Sequence, residues 1–208
     1  MKKRGRLITL EGGEGVGKTT HAGILKSYIS GFDISCECAR EPGGVLEAET
    51  IRGLLKDKKY DFSPLEELFL FETARTGFFS RKVKLTLERG TWMVLDRSAD
   101  STLAYQGYGG GIDLGLIRQL NYHATLNVSP DLTFILDIDP EIGLGMEDEN
   151  DRFGAKGLEY HKRVREGFLQ IAKDNSDRCV VIPYVKGGIH EMQSQMRKYV
   201  DRLILEHC

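Results

Sequence analysis

Long apolar stretches are missing from this 208-residue sequence, and so is a marked excess of charge of either sign. The run Leu7-Ile8-Thr9-Leu10 follows a basic start, Met1 to Arg6. It is too short for a secretory core and far too short to cross a bilayer. The basic start therefore reads as a solvated lead-in to a first strand, and no membrane partner is expected. The formal net charge of −2 argues against a general nucleic-acid binder, whose phosphate contacts ask for a basic excess. Any anion site must be local. Proline is scarce, at five residues, and no repeat or Pro/Gly/Ser-rich tract divides the chain, so a single domain spanning 1–208 is expected. Four cysteines, Cys36, Cys38, Cys179 and Cys208, include no second close Cys/His pair to complete a metal site. They are expected to be free thiols of a cytoplasmic protein.

What the sequence does contain is alternation. Short runs rich in large apolar residues at 7–10, 34–39, 92–95, 132–136 and 180–182 read as strands. Helical patterns lie between and after them, at about 18–30, 46–57, 64–89, 98–107, 114–126, 158–174 and 189–206. Strands separated by helices require crossover connections, which predicts an α/β fold with a parallel five-stranded sheet covered on both faces. Ligands are then expected at the carboxyl ends of the strands.

Directly after the first strand stands Gly12-Gly13-Glu14-Gly15-Val16-Gly17-Lys18-Thr19, with Thr20 next on the following helix. This spacing, between a strand and a helix, is that of a phosphate-binding loop. Its glycines let backbone N–H groups turn toward phosphates, and the helix start adds positive potential. Lys18 is expected to reach the β- and γ-phosphates and the Thr19 hydroxyl to help hold Mg²⁺, so ATP-type binding is implied. No guanine-reading Asn-Lys-x-Asp accompanies it.

The next two strand ends carry arginines, in Arg40-Glu41-Pro42-Gly43-Gly44 and in Asp96-Arg97-Ser98, with Arg52 on the helix after the first. Guanidinium forks match phosphate geometry, and several beside one phosphate loop point to a second phosphate. Asp96 ends an apolar run, the usual place for an acid acting on the metal. Asp137 ends another and is the rival, read here more simply as capping the helix after it. Phe71 and Arg75 are four apart in a helix and share a face, as do Thr102 and Gln106.

Together these segments resemble the thymidylate kinases, enzymes that convert dTMP and ATP to dTDP and ADP. The most specific pieces are Arg40–Gly44, Leu70-Phe71-Glu72-Thr73-Ala74-Arg75, and Asp96 to Gln106; the likeness runs from Leu7 to about Leu169. It implies a nucleoside monophosphate kinase-like fold with a short lid at about 145–157, and a homodimer. It implies that Phe71 stacks on thymine, that Arg75 bonds its O4, and that Thr102 and Gln106, with Ser101 beside them, read the base edge. Tyr105 would crowd the sugar 2′ position. Arg40, Arg52 and Arg97, with Pro42 in the same turn, would hold the dTMP phosphate, and Glu14 would accept from its 3′-hydroxyl. Arg97 and Arg152 would stabilise the transferring group. The rival readings are a kinase for another nucleotide or nucleoside, and a catalytically weak nucleotide-binding protein.

The chain also departs from that pattern. Within the lid, the stretch Gly145–Gly154 has four carboxylates in Glu147–Asp151 and Arg152 as its only basic residue, and Gly154 stands where many members carry Glu. Ile182-Pro183-Tyr184-Val185-Lys186 replaces an Asp-Ala common near the adenine.

Overall fold

The structure, a computed structural model, describes residues 3–146 and 152–207. The acidic run Glu147–Asp151 and Cys208 lie outside the described residues. Five strands, β1 (Leu7–Gly12), β2 (Cys36–Arg40), β3 (Trp92–Asp96), β4 (Leu132–Asp137) and β5 (Cys179–Pro183), form one sheet in the order β2-β3-β1-β4-β5. Every pairing is parallel. The α/β class with a five-stranded parallel sheet is therefore as expected.

Side chains along β1 alternate between the two faces. Ile8 and Leu10 pack with Ala22, Leu25 and Ile29 of α1 (Lys18–Ser30) and with Met192, Met196 and Val200 of α9 (Ile189–His207). Leu7 packs on the other face with Phe78, Phe79, Met93 and Leu95. The same face carries Thr9 and then Glu11, so a carboxylate is delivered, fully buried, to the carboxyl end of the strand. A third cluster joins Ile135 and Cys179 to Val164, Phe168 and Ile171 of α8 (Leu158–Asp174).

Two helices expected to be continuous are not. The stretch 64–89 divides into α3 (Pro64–Phe78), a π-helical turn at Phe79–Val83, and α4 (Lys84–Glu88). The wider turn keeps Phe78, Phe79 and Val83, all with at most 1% exposure, against the sheet. Likewise 98–107 becomes α5 (Ala99–Thr102) followed by a π-helical segment at Leu103–Gly109, buried on nearly every side. Gly109 and Gly167 make its approach to α8 possible, since a Cβ at Gly167 would lie 2.7 Å from Tyr108. Helix α3 starts on a reciprocal cap: Ser63 accepts from the Glu66 N–H while the Glu66 carboxylate accepts from the Ser63 N–H.

The remaining α-helices among the described residues are α2 (Leu46–Lys56), α6 (Leu114–Ala124) and a short α7 (Pro140–Leu144), which follows Asp137 as the capping reading of that residue expects although no apolar pattern marked its range. Asp137 does not cap α7. Asp139 does, accepting from the Glu141 N–H, because it stands directly before Pro140. Asp137 instead takes a two-pronged bond from Arg165, at 2.6 and 2.9 Å. Among the described residues no helix is long and apolar enough to cross a membrane.

Candidate active site

The strand ends, α1 and the helices over them enclose a cleft of about 440 Å³. Its phosphate end is backbone. Gly12 (φ 132°) leaves β1 so close to β4 that a Cβ would lie 2.3 Å from the Leu136 carbonyl oxygen; at Gly15 (φ 69°) it would lie 2.4 Å from that of Gly143. Both positions need glycine on conformation and on space. Helix α1 starts from Gly17 in the left-handed region without a side-chain cap, which leaves its first N–H groups for an anion. Glu14, Gly15, Gly17, Lys18, Thr19 and Thr20 line the cleft. Gly12, Gly13 and Val16 do not: Gly12 completes the β1–β4 ladder, the Gly13 carbonyl accepts from Lys18 Nζ at 2.5 Å, and Val16 is core.

The Thr19 hydroxyl donates to Asp96 Oδ2. Two hard oxygen donors thus meet at the loop, the donor set that suits Mg²⁺ alongside phosphate oxygens. Burial, and after it the Arg97 guanidinium, brings Lys18 down to about 8, against the pull of Glu14 and Asp96.

Arg97 holds the middle. It adopts φ 67°, rare for a side-chain-bearing residue, and donates to the Gly12 carbonyl at 3.0 Å and to Glu14 Oε2 at 2.8 Å. Tyr105 donates to Glu14 Oε1 at 2.6 Å. Burial works against the Glu14 carboxylate, yet Arg97, Lys18 and the Tyr105 hydroxyl hold it at about 2. Arg40, half-exposed and paired with Glu49 at 3.2 Å, lines the same cleft with Pro42 and Arg52. Arg52 is aimed by its bond to the Pro42 carbonyl, 3.1 Å.

The far end holds Phe71, Arg75, Ser101, Thr102, Tyr105 and Gln106. Arg75 is 2% exposed and bonds Glu41 at 2.7 Å, Glu72 at 2.6 Å, Asn121 at 2.8 Å and the Ser98 carbonyl at 3.1 Å. Burial disfavours its charge, but Glu41 and Glu72 more than reverse that and raise its affinity for the proton. The Thr102 hydroxyl joins this cluster, donating to the Ala99 carbonyl at 2.8 Å and accepting from Arg75 at 3.3 Å.

Several residues in or against the cleft were not legible from the sequence: Glu41, Ser98 and Phe153 on its wall, and Glu11 behind it. The Phe153 ring lies 5.8 Å from that of Phe71. Glu11 accepts from the Ser98 N–H at 2.8 Å and from the Ser101 hydroxyl, and burial, then Asp100, pushes it up to about 8. Its position at the end of a buried strand was the only signal. Arg152 is not on the wall. Its guanidinium bonds the Leu55 and Phe62 carbonyls at 3.2 and 3.1 Å and Glu67 at 2.7 Å. At Gly154 a Cβ would meet no atom within 4 Å, so space does not demand the glycine.

A family model described as Thymidylate kinase matches residues 10–196. A curated thymidylate kinase of Synechococcus sp. (strain JA-2-3B'a(2-13)) is 46% identical over 194 residues, 93% of each chain. One of Carboxydothermus hydrogenoformans is 43% identical over 180 residues, 85% of this chain and 89% of that one. The crystal structure of thymidylate kinase from Ehrlichia chaffeensis aligns with a TM-score of 0.78 at 36% identity, covering 95% of this chain and 99% of that chain.

Proposed function

The chain belongs to the thymidylate kinase family, and on that premise we propose how its cleft phosphorylates dTMP to dTDP, a step toward dTTP, with ATP as donor. One observation carries the reading: Glu14, inside the phosphate loop, is tied to Arg97 on the acceptor-phosphate side and to Tyr105 on the sugar side. A phosphate cradle has no use for an acid there. A carboxylate facing the acceptor sugar does, because it can accept from a 3′-hydroxyl.

ATP lies along the loop and the first turn of α1, with Lys18 on its β- and γ-phosphates. Thr19 and Asp96 would hold Mg²⁺ in place of their mutual hydrogen bond, and the ion would offset phosphate charge. Arg40, Arg52 and Arg97 bind the acceptor phosphate, and Phe71, Arg75, Thr102 and Gln106 form the base pocket with Ser101 nearby. The acceptor phosphate is already anionic, so no general base is needed. The chain's work is alignment and charge stabilisation.

In the described arrangement Arg152 is engaged by Glu67, so meeting the transferring group requires the lid segment to release that carboxylate. If it does so, Arg152→Ala lowers kcat far more than dTMP affinity. An equal loss in both marks Arg152 as a binding residue only.

We also infer one kinase domain over 1–208, since all three apolar clusters share one sheet, with the lid at about 145–157. A homodimer is supported by Leu65 and Phe69 on α3 and Leu116 and Tyr122 on α6, which remain 39–55% exposed on two helices packed together. The free thiols of Cys36, Cys38 and Cys179 fit the cytoplasm. A coupled ADP-release assay with dTMP, dUMP and thymidine side by side tests the assignment. dTMP is expected to be fastest, and the base and phosphate assignments fail if either alternative outpaces it.

A further inference from the structure

Glu67, on α3 one turn before Phe71, has no exposed surface. Its carboxylate is met by donors. Lys156 Nζ bonds both oxygens, at 2.6 and 2.8 Å, and Arg152 bonds Oε1 at 2.7 Å. Gln106 Nε2 bonds Oε2 at 3.0 Å. The first two come from the 152–156 segment of the lid, and the third is a wall residue of the base pocket.

A glutamine amide has two unlike ends, a donor and an acceptor, and turning it over exchanges them. A carboxylate with donors all around it can only accept, so it must take the Nε2 end of Gln106. That leaves Oε1 as the opposite end of the same amide, on a side chain 1% exposed that lines the cleft beside Phe71 and Tyr105. The pocket therefore presents an acceptor there. Thymine and uracil carry a hydrogen on N3 and can donate to it. Cytosine has a lone pair on N3 and meets acceptor against acceptor.

We propose that Glu67 is a positioning residue for base selection: by accepting the Gln106 amide nitrogen it holds Oε1 toward the N3–H of the pyrimidine. Lys156, which bonds both oxygens, keeps the carboxylate an acceptor even when Arg152 leaves it for the transferring group, so this end of the lid is part of the device that reads the base. This rests on the assignment of the far end of the cleft to the base of dTMP.

The test compares dTMP with dCMP on the same preparations, so that the active fraction cancels. In Glu67→Gln the residue at 67 can donate as well as accept, and Gln106 is free to turn over. The ratio of kcat/KM for dTMP over that for dCMP is then expected to fall by about tenfold or more. In the exchanged pair Glu67→Gln with Gln106→Glu, the new amide donates to the new carboxylate, whose other oxygen again faces N3–H. The ratio is expected to return to within about threefold of the unsubstituted protein.

A single variant that loses activity equally on both substrates, or an exchanged pair that stays at the single variant's ratio, overturns the proposal. If the unsubstituted protein fails to phosphorylate dTMP, the functional assignment itself has failed, which is a different result. Should Glu67→Gln not fold, hydrogen exchange at the Gln106 side-chain amide in the intact protein decides. Protection with and without dTMP supports the fixed orientation, and loss of protection on dTMP binding refutes it.

Discussion

The two ends of the cleft hold charge in opposite ways. At the phosphate end the frame is main chain, with glycines at positive φ, an uncapped helix start, and a lysine resting on the Gly13 carbonyl. Its arginines are held by main-chain carbonyls and at most one carboxylate each, Arg97 by Gly12 and Glu14, Arg52 by Pro42 and Arg40 by Glu49. At the base end the charges are already matched: Arg75 is ringed by Glu41, Glu72, Asn121 and the Ser98 carbonyl, and Glu67 by Lys156, Arg152 and Gln106. Phosphate is a strong, symmetric anion that backbone donors can meet without fine discrimination. A base edge differs from its competitors by one hydrogen, so the side chains reading it have to be held by others. The phosphate end should therefore be sensitive in rate and tolerant in stability, and the base end the reverse.

Arg75→Met should break that contrast most severely. It leaves Glu41 and Glu72 buried without their cation, a loss of about 3–5 kcal/mol in unfolding free energy, measurable by urea titration. If stability is unchanged, Arg75 is held for the substrate and not for the fold.

Lys18→Met should do the opposite, lowering kcat by about 10²–10³ while leaving the unfolding midpoint in place. The same lysine gives a pH test. Its proton is held only to about 8 in the free protein, and a bound polyanion needs the charged form. ATP affinity should therefore hold steady below that pH and weaken by up to about tenfold per unit above it. Calorimetric titration from pH 7 to 9.5 checks this, and an affinity flat across that range would remove Lys18 from the triphosphate.

The smallest effect is expected at the lid. Gly154→Ala enters open space and should add up to about 1 kcal/mol of stability with little change in rate. A fall in kcat would mean that the segment must flex at that residue.

The difference between the ends also explains how far the sequence could be read. The phosphate loop was legible because its chemistry is local: eight consecutive residues between a strand and a helix carry it. Phe71, Arg75, Thr102 and Gln106 were legible through helical spacing and family likeness, and the structure places all four on the cleft. Their partners were not. Glu41 and Asn121 reach Arg75 from a strand end and another helix, and no spacing rule joins them; only Glu72, three residues before Arg75 on α3, lies at a helical spacing from it. Glu67, one of two acids in the first turn of a capped helix, reads like an ordinary solvated residue until the lid is laid over it. Arg152 stood out as the only base in Gly145–Gly154, but the carboxylate waiting for it is 85 residues away in the chain. The π-helical turns escaped because apolar periodicity registers which residues are buried and not the pitch of the backbone between them.

The wide turn at Leu103–Gly109 has a further consequence, for the kinds of genetic change this chain can absorb. It carries Tyr105 and Gln106 into the cleft on a backbone that holds one residue more than an ordinary helix of the same span. A deletion of one residue there would let the turn close to an ordinary helix, leaving the residues beyond it in register but rotating those within it, Tyr105 and Gln106 among them, by up to about 100°. Both side chains would leave the pocket together, although each could individually be exchanged for a near relative at modest loss. Over generations, insertions and deletions in this stretch should be purged before substitutions are.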